Sequence, residues 1–367
     1  MRIDIATLFT QMCDSVLNES IVGRGIRNGF IEVHTHDIRK YTENKHRRVD
    51  DKPYGGGTGM LMQAQPVYDC ISAIKSQGEG KPRIIYMSPQ GEVLTQQKVQ
   101  ELAQEPWLIL LCGHYEGIDQ RVLDELEAEE LSVGNYVLTG GELPALIVAD
   151  AVARLQPGVL PNEDAYSIES HYNGLLEFPQ YTRPEEWHGR MVPEVLLTGD
   201  HRTVTEWQNR EALRVTARKR PDMYGKFIAE QHERLWSAFL EDKDIPPETR
   251  CSGVVGFGKT ADEADRLAKL VMRGKKRADL SVQSGELPRR GEYLIVTDGT
   301  GLGKCVVQVF NVKTVPFSGV TEEMCGFTAE CSSPDEWRAV QEADISAETP
   351  VAFWQFRLVY KYHKEER

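Results

Sequence analysis

Between residues 83 and 142 the chain three times enters an apolar stretch and then breaks on small or rigid residues. Ile84, Ile85, Tyr86 and Met87 end at Ser88-Pro89-Gln90-Gly91. Trp107 to Cys112 end at Gly113-His114-Tyr115-Glu116-Gly117. A third short strand, read around residues 136–138, gives way to Gly140-Gly141. Between the first two runs, Leu94, Val99 and Leu102 keep a sparse helical stripe. Strand, helix and strand in alternation predict an α/β unit with a parallel sheet and crossover helices. Ligands of such sheets collect where strands end, because small residues there let backbone amides approach. Neither a P-loop nor a spaced GxGxxG occurs, so a nucleoside-like ligand held by other means is expected.

A helix is predicted from Glu142 to about Leu155, with Thr139 and Glu142 spaced as a capping box and Pro144 in the first turn. Pro157-Gly158 stops it. Residues 203–240 mix apolar and basic positions at helical spacing, and Ala261 to Met272 form an amphipathic helix ending at Gly274. The segment 293–317 reads as a hairpin around a glycine turn, and 350–362 as a last strand closing a small barrel. Polar, turn-rich stretches at 161–175 and 243–253 are the expected linkers, and 367 residues are more than one ordinary core holds.

A net charge of −13 argues against a nucleic-acid partner until its distribution is read. Residues 202–220 carry Arg202, Arg210, Arg214, Arg218, Lys219 and Arg220 against only Glu206 and Glu211, and local patches steer polyanions more than the net sum does. The seven cysteines are scattered without a CxxC pair, which points to reduced thiols rather than a zinc ribbon or disulfide framework. No run approaches the ~20 apolar residues of a membrane span, so a cytoplasmic protein with no membrane partner is expected.

The segments DDKPYGGGTGMLMQAQPV (50–67), IIYMSPQG (84–91), LCGHYEGIDQRV (111–122), VGNYVLTGGELPALIVADAVARLQPGVL (133–160) and GLLEFPQYTRP (174–184) lie in one collinear order. Together they resemble the bacterial tRNA (guanine-N1)-methyltransferases, the TrmD family of the SPOUT superfamily, over about residues 1–240. The resemblance implies a trefoil-knotted sheet, one of the rare exceptions to unknotted topology. It further implies a homodimer with its active site at the subunit interface, tRNA as partner, and S-adenosyl-L-methionine as methyl donor, with Mg2+ left open as a second cofactor. The acceptor is N1 of the guanosine 3′ of the anticodon. Residues 1–160 then form the donor-binding domain and 176–242 a helical tRNA-binding domain. The donor contacts carried over are Tyr86, Ser88, Pro89, Gly113, Glu116, Gly117, Val133, Gly134, Asn135, Tyr136, Val137, Leu138, Gly140 and Gly141. Arg214, Arg218, Lys219 and Arg220 become expected tRNA contacts.

Guanine N1 bears a proton, so its methylation needs a base, and a cation should offset charge developing on O6. Arg154 matches the family's arginine for the second task. The resemblance places the base directly before Gly174-Leu175-Leu176, where this chain has Asn173. An amide has no useful basicity near neutral pH. Two readings stay open here: an active methyltransferase served by a neighbouring carboxylate, Glu169 or Glu177, or a catalytically impaired tRNA- or cofactor-binding protein. Thr58 and Asn135 also depart from the Pro and Asp expected of the family. His34 and His36 alternate like one strand face, and no metal site is expected there.

The last third, 254–367, resembles the ASCH domains, small β-barrels related to RNA-binding PUA domains. That likeness rests on residues 254–281, 287–301 and 315–321. Arg277 stands where these domains usually have Thr, which weakens a hydrolase reading and favours an RNA-binding accessory role.

Overall fold

A computed structural model of the chain describes residues 1–162, 164–282, 287–341 and 345–362. They divide into two compact units, Met1–Asn173 and Gly174–Arg367.

The first unit contains, in order, β1 (Arg2–Thr7), α1 (Thr10–Leu17), α2 (Ser20–Arg27), β2 (Glu32–Asp37), β3 (Asp50–Asp51), β4 (Leu61–Met62), α3 (Ala64–Lys75), β5 (Arg83–Val93), α4 (Gln96–Leu102), β6 (Trp107–Cys112), α5 (Gln120–Glu125), β7 (Glu129–Ser132), α6 (Glu142–Ala153) and α7 (Asp164–Ser167). Its main sheet has the order β2-β1-β6-β5-β7, and every neighbouring pair in it is parallel. A strand covered on both faces must be apolar throughout, and β6 is buried at all six positions. Ile3, Ile5, Leu108 and Leu110 pack one face against α1, α4 and α6, while Ala6, Ile84, Ile109 and Leu111 pack the other against α3 and α5.

The buried Asp4 shows how the sheet tolerates a charge. Its carboxylate accepts from Arg2 Nε at 2.7 Å and Trp107 Nε1 at 2.7 Å, and His36 Nε2 lies 2.7 Å away. A buried carboxylate is retained when its lone pairs are met in this way.

Two sequence expectations fail in this unit. The third strand lies at Glu129–Ser132, not at 136–138, and residues 133–139 are irregular. Val137 is 81% exposed there, so its apolar character reflects no burial in the sheet. The expected capping box is absent as well. α6 is capped by Gly141 without a side-chain bond, because Glu142 is buried and takes a 2.8 Å bond from the Thr7 hydroxyl.

The second unit contains β8 (Glu186–Trp187), β9 (Arg190–Met191), α8 (His201–Lys219), α9 (Pro221–Asp242), β10 (Gly253–Gly256), α10 (Ala261–Met272), β11 (Ala278–Val282), β12 (Tyr293–Thr297), β13 (Gly303–Pro316), α11 (Glu322–Thr328), α12 (Pro334–Ala339) and β14 (Pro350–Lys361). The expected hairpin is β12–β13 and the expected last strand is β14. Their five-stranded sheet has the order β10-β12-β13-β14-β11, with β10 and β11 as its edges among the described residues, so the expected small barrel is a curled half-barrel that does not close. α10 begins with a full capping box from Thr260 and Glu263.

α9 belongs to the packing of this sheet. Leu235 and Phe239, both fully buried, pack against Ile295 and Val306, with Trp236 and Tyr293 around them. The helices and the sheet therefore share a core.

Candidate functional site

The irregular stretch within β5, where its register against β7 shifts after Met87, meets the loops following β6 and β7 in one open-mouthed cleft. Tyr86, Ser88, Pro89, Gly113, Glu116, Gly117, Val133, Tyr136, Val137, Leu138, Gly140 and Gly141 all line it. Gly134 and Asn135, expected beside them, lie in the same loop but not on the lining.

Glycine is required here by packing. A Cβ on Gly141 would stand 2.7 Å from Cys112 Cα and 3.0 Å from Gly113 N, both main-chain atoms. Gly141 N donates to Gly113 O at 2.8 Å, so the loop after β7 lies directly on the loop after β6. A Cβ on Gly113 would meet the Tyr86 ring at 2.8 Å. Tyr86 is buried, which pushes its phenol above the ordinary tyrosine value. Within β5, the buried Ser88 hydroxyl accepts from Gln90 N at 3.1 Å.

Sequence reasoning missed His114, Tyr115, Thr139 and Pro144, which also line the cleft. His114 carries the sharpest signal. Its Nδ1 is buried and has no hydrogen-bond partner among the described residues. Buried polar atoms are almost always satisfied, so this nitrogen has hydrogen-bonding capacity left for whatever enters the cleft. A Cβ on Gly140 would come within 2.7 Å of that nitrogen. The glycine cradle and the orphaned nitrogen fit a ligand held by backbone and edge contacts, as a nucleoside-containing methyl donor would be.

The second chemical group lies at the far end of α6. Arg154 is its C-cap, and Nη1 and Nη2 meet the two oxygens of Glu169 at 2.5 and 2.9 Å. Each side chain is 34% exposed. The bond from Arg154 holds Glu169 below the usual carboxylate range, and Glu169 raises the guanidinium in turn. The loop that brings Glu169 here follows α7, where the Tyr166 and Tyr172 rings stand 5.3 Å apart. Asn173, the expected base position, is exposed at the end of this unit. The carboxylate paired with Arg154 is Glu169.

Residues 1–226 match the family model described as tRNA (Guanine-1)-methyltransferase TrmD. The chain is 53% identical over 226 residues to a tRNA (guanine-N(1)-)-methyltransferase of Ruminiclostridium cellulolyticum, covering 62% of this chain and 97% of that protein. It is 48% identical over 235 residues to the enzyme of that name from Lachnospira eligens, covering 64% of this chain and 100% of the relative.

The chain belongs to the TrmD family of tRNA (guanine-1)-methyltransferases.

The TrmD match and these relatives leave the C-terminal third uncovered, and residues 253–360 match the ASCH domain model. Members of the TrmD family take their methyl from S-adenosylmethionine, and the cleft described above suits that ligand. No group of three or more His, Cys, Asp or Glu side chains suited to a metal ion occurs among the described residues. Among the described residues no helix is long and apolar enough to cross a membrane.

The expected RNA contacts sit at the end of α8. Arg214 pairs with Glu211 at 2.8 Å and Arg220 with Asp222 at 2.7 Å. Exposed pairs of this kind are worth little and exchange readily for a phosphate. Arg218 and Lys219 occupy the last turn of α8, where the helix dipole also favours cations.

Proposed function

We propose that this protein transfers a methyl group from S-adenosylmethionine to N1 of the guanosine 3′ of the anticodon in tRNA. The observation that carries the reading is the cleft between the middle of β5 and the ends of β6 and β7, whose lining coincides with twelve of the fourteen donor contacts implied by family resemblance.

Bound there, S-adenosylmethionine supplies a methyl carbon activated by its sulfonium, and the departing sulfur becomes a neutral thioether. The chain's own residues do the remainder. The cleft holds the donor in line with the acceptor, and such alignment can lower a barrier by roughly 7–11 kcal/mol. Glu169 takes the proton from guanine N1 as the nitrogen–carbon bond forms, and Arg154 offsets the charge on O6. Arg154 keeps Glu169 ionised while the site waits. As the guanidinium turns toward O6, the carboxylate loses its cation and gains basicity. Asn173 needs no part in this, which removes the reason for reading the protein as catalytically impaired.

The geometry also favours a homodimer. Pro144, near the start of α6, lines the cleft, and Arg154 caps the other end of this 12-residue helix. At about 1.5 Å per residue those ends are about 18 Å apart. One copy's Arg154 and Glu169 are thus a helix length from its own donor cleft. An antiparallel crossing of two α6 helices brings the partner subunit's Arg154 to this cleft. The exposed face it would cover is apolar: Leu143 and Ile147 on α6, with Phe9, Met12 and Val16 on and beside α1. A trefoil knot through these loops and a cytoplasmic location go with the family reading.

Mapping the methylated atom on a tRNA transcript tests this function. Transfer to N1 of the guanosine 3′ of the anticodon, lost when that base is adenosine, is the expected result. Methylation at a ribose oxygen, or none at all, refutes it.

A further inference from the structure

The second unit holds a groove that the methyl-transfer chemistry does not use. Arg210 of α8 forms one wall, Asp265, Lys269 and Met272 of α10 another, and Asp298 and Lys304 of the β12–β13 hairpin close it around about 270 Å³. The two carboxylates are committed to the hairpin. Asp298 Oδ1 accepts from Thr300 N at 2.9 Å, and its Oδ2 meets Lys304 Nζ at 2.7 Å. Asp265 Oδ1 accepts from Gly299 N at 2.9 Å, and its other oxygen reaches Arg210 only at 3.9 Å. The Lys269 side chain lines the groove and is exposed, and its ammonium has no ion pair among the described residues. Arg266 and Arg273, also exposed, stand three positions before and four after it. Residues at those spacings share a helix face, so α10 presents a row of three cations.

Arg210 is also the first member of a second row. Arg210, Arg214 and Arg218 recur every four residues along α8 and so lie on one side of it. The groove therefore joins the α8 arginines, where the tRNA contacts are expected, to the cations of the ASCH domain. A compact anion would fill one end of it, whereas two cation rows meeting at a groove suit an extended polyanion.

We infer that α8, α10 and the β12–β13 hairpin form one composite groove that binds the sugar–phosphate backbone of the tRNA being methylated. The inference rests on the function proposed above. Its consequence is that the ASCH domain adds affinity for tRNA without taking part in methyl transfer. Contacts of this class position the nucleic acid and carry no sequence information.

The test uses the full-length protein with the double charge reversal Lys269→Glu and Arg273→Glu. Both side chains are exposed, and an unchanged thermal midpoint establishes that the fold is retained. The expected result is a KM for tRNA raised roughly tenfold, with the slope of log affinity against log salt reduced by about 1–2. Calorimetric affinity for S-adenosylmethionine stays at the wild-type value, and the pair Lys269→Arg and Arg273→Lys restores the KM. If the wild type methylates tRNA while the reversed variant keeps its KM and salt slope within about twofold, the groove is not a tRNA site. If the wild type neither binds nor methylates tRNA, the underlying function falls, and the groove assignment with it.

Discussion

Arg154 grips Glu169 with both terminal nitrogens, at 2.5 and 2.9 Å, across a loop that separates them by fifteen residues. A planar guanidinium meets a carboxylate in this way and a lysine ammonium does not. Arg154→Lys therefore keeps the charge and loses the geometry. It is expected to lower the single-turnover rate at least tenfold while leaving donor affinity, measured by calorimetry, unchanged.

The same pair fixes a pH dependence. Glu169 is held below its unfolded value, near 4.3 for a free glutamate, by the bond from Arg154. A depressed acid stabilises the fold above the unfolded value and loses that contribution as pH falls through the folded one. Both groups are a third exposed, so screening leaves about 1 kcal/mol or less. The difference in thermal midpoint between wild type and Glu169→Gln should be constant from neutral pH to about 5 and shrink toward pH 3.

Two glycine substitutions should part in sign. In Gly141→Ala the new carbon stands 2.7 Å from Cys112 Cα, so backbone must move at the floor of the cleft. Affinity for S-adenosylmethionine should fall by at least tenfold in calorimetry. Gly225 is exposed within α9, and a Cβ there meets nothing within 4 Å. Gly225→Ala should stabilise by about 0.5–1 kcal/mol, read as a higher denaturation midpoint.

Burial pushes the thiols of Cys13, Cys70, Cys305 and Cys325 up to about 12, and raises that of Cys112 well above its ordinary value. The thiolate is the reactive form, so these five should resist a thiol-exchange reagent in the native protein. Cys251 and Cys331, both only half-buried, should carry the fast phase, and all seven should react in denaturant.

Phe239 is fully buried where α9 meets β12 and β13. Phe239→Ala should cost about 3–5 kcal/mol in chemical unfolding of the second unit. Independence of the helices from the ASCH sheet would instead leave the sheet's transition unmoved.

Burial on both faces writes itself into residue type, which is why β6 was legible at its true bounds and α10 from its amphipathic stripe. The loop at 133–139 misled for the opposite reason. Val137 and Tyr136 are apolar yet exposed, because they border an open cleft and not a core. Glu142 sits three residues after Thr139 as a capping box requires, but Thr7 claims its carboxylate. That bond joins residues 135 positions apart, and no local pattern announces it. The cleft was foreshadowed by the breaks after Met87 and Cys112, although the third strand end was misplaced. The pairing of Arg154 with Glu169, one of the two carboxylates named from the sequence beside Asn173, was not legible, since it depends on how the loop after α7 folds back. His114 Nδ1 is conspicuous only once its neighbours are placed.

Single-turnover methylation of a guanosine-containing tRNA transcript by wild type, Glu169→Gln and Asn173→Asp bears most directly on the proposed chemistry. Loss of a general base typically costs about 10²–10⁴-fold. The account predicts a loss of that size for Glu169→Gln and a rate within about threefold of wild type for Asn173→Asp. An unaffected Glu169→Gln variant beside a strongly accelerated Asn173→Asp variant would contradict it.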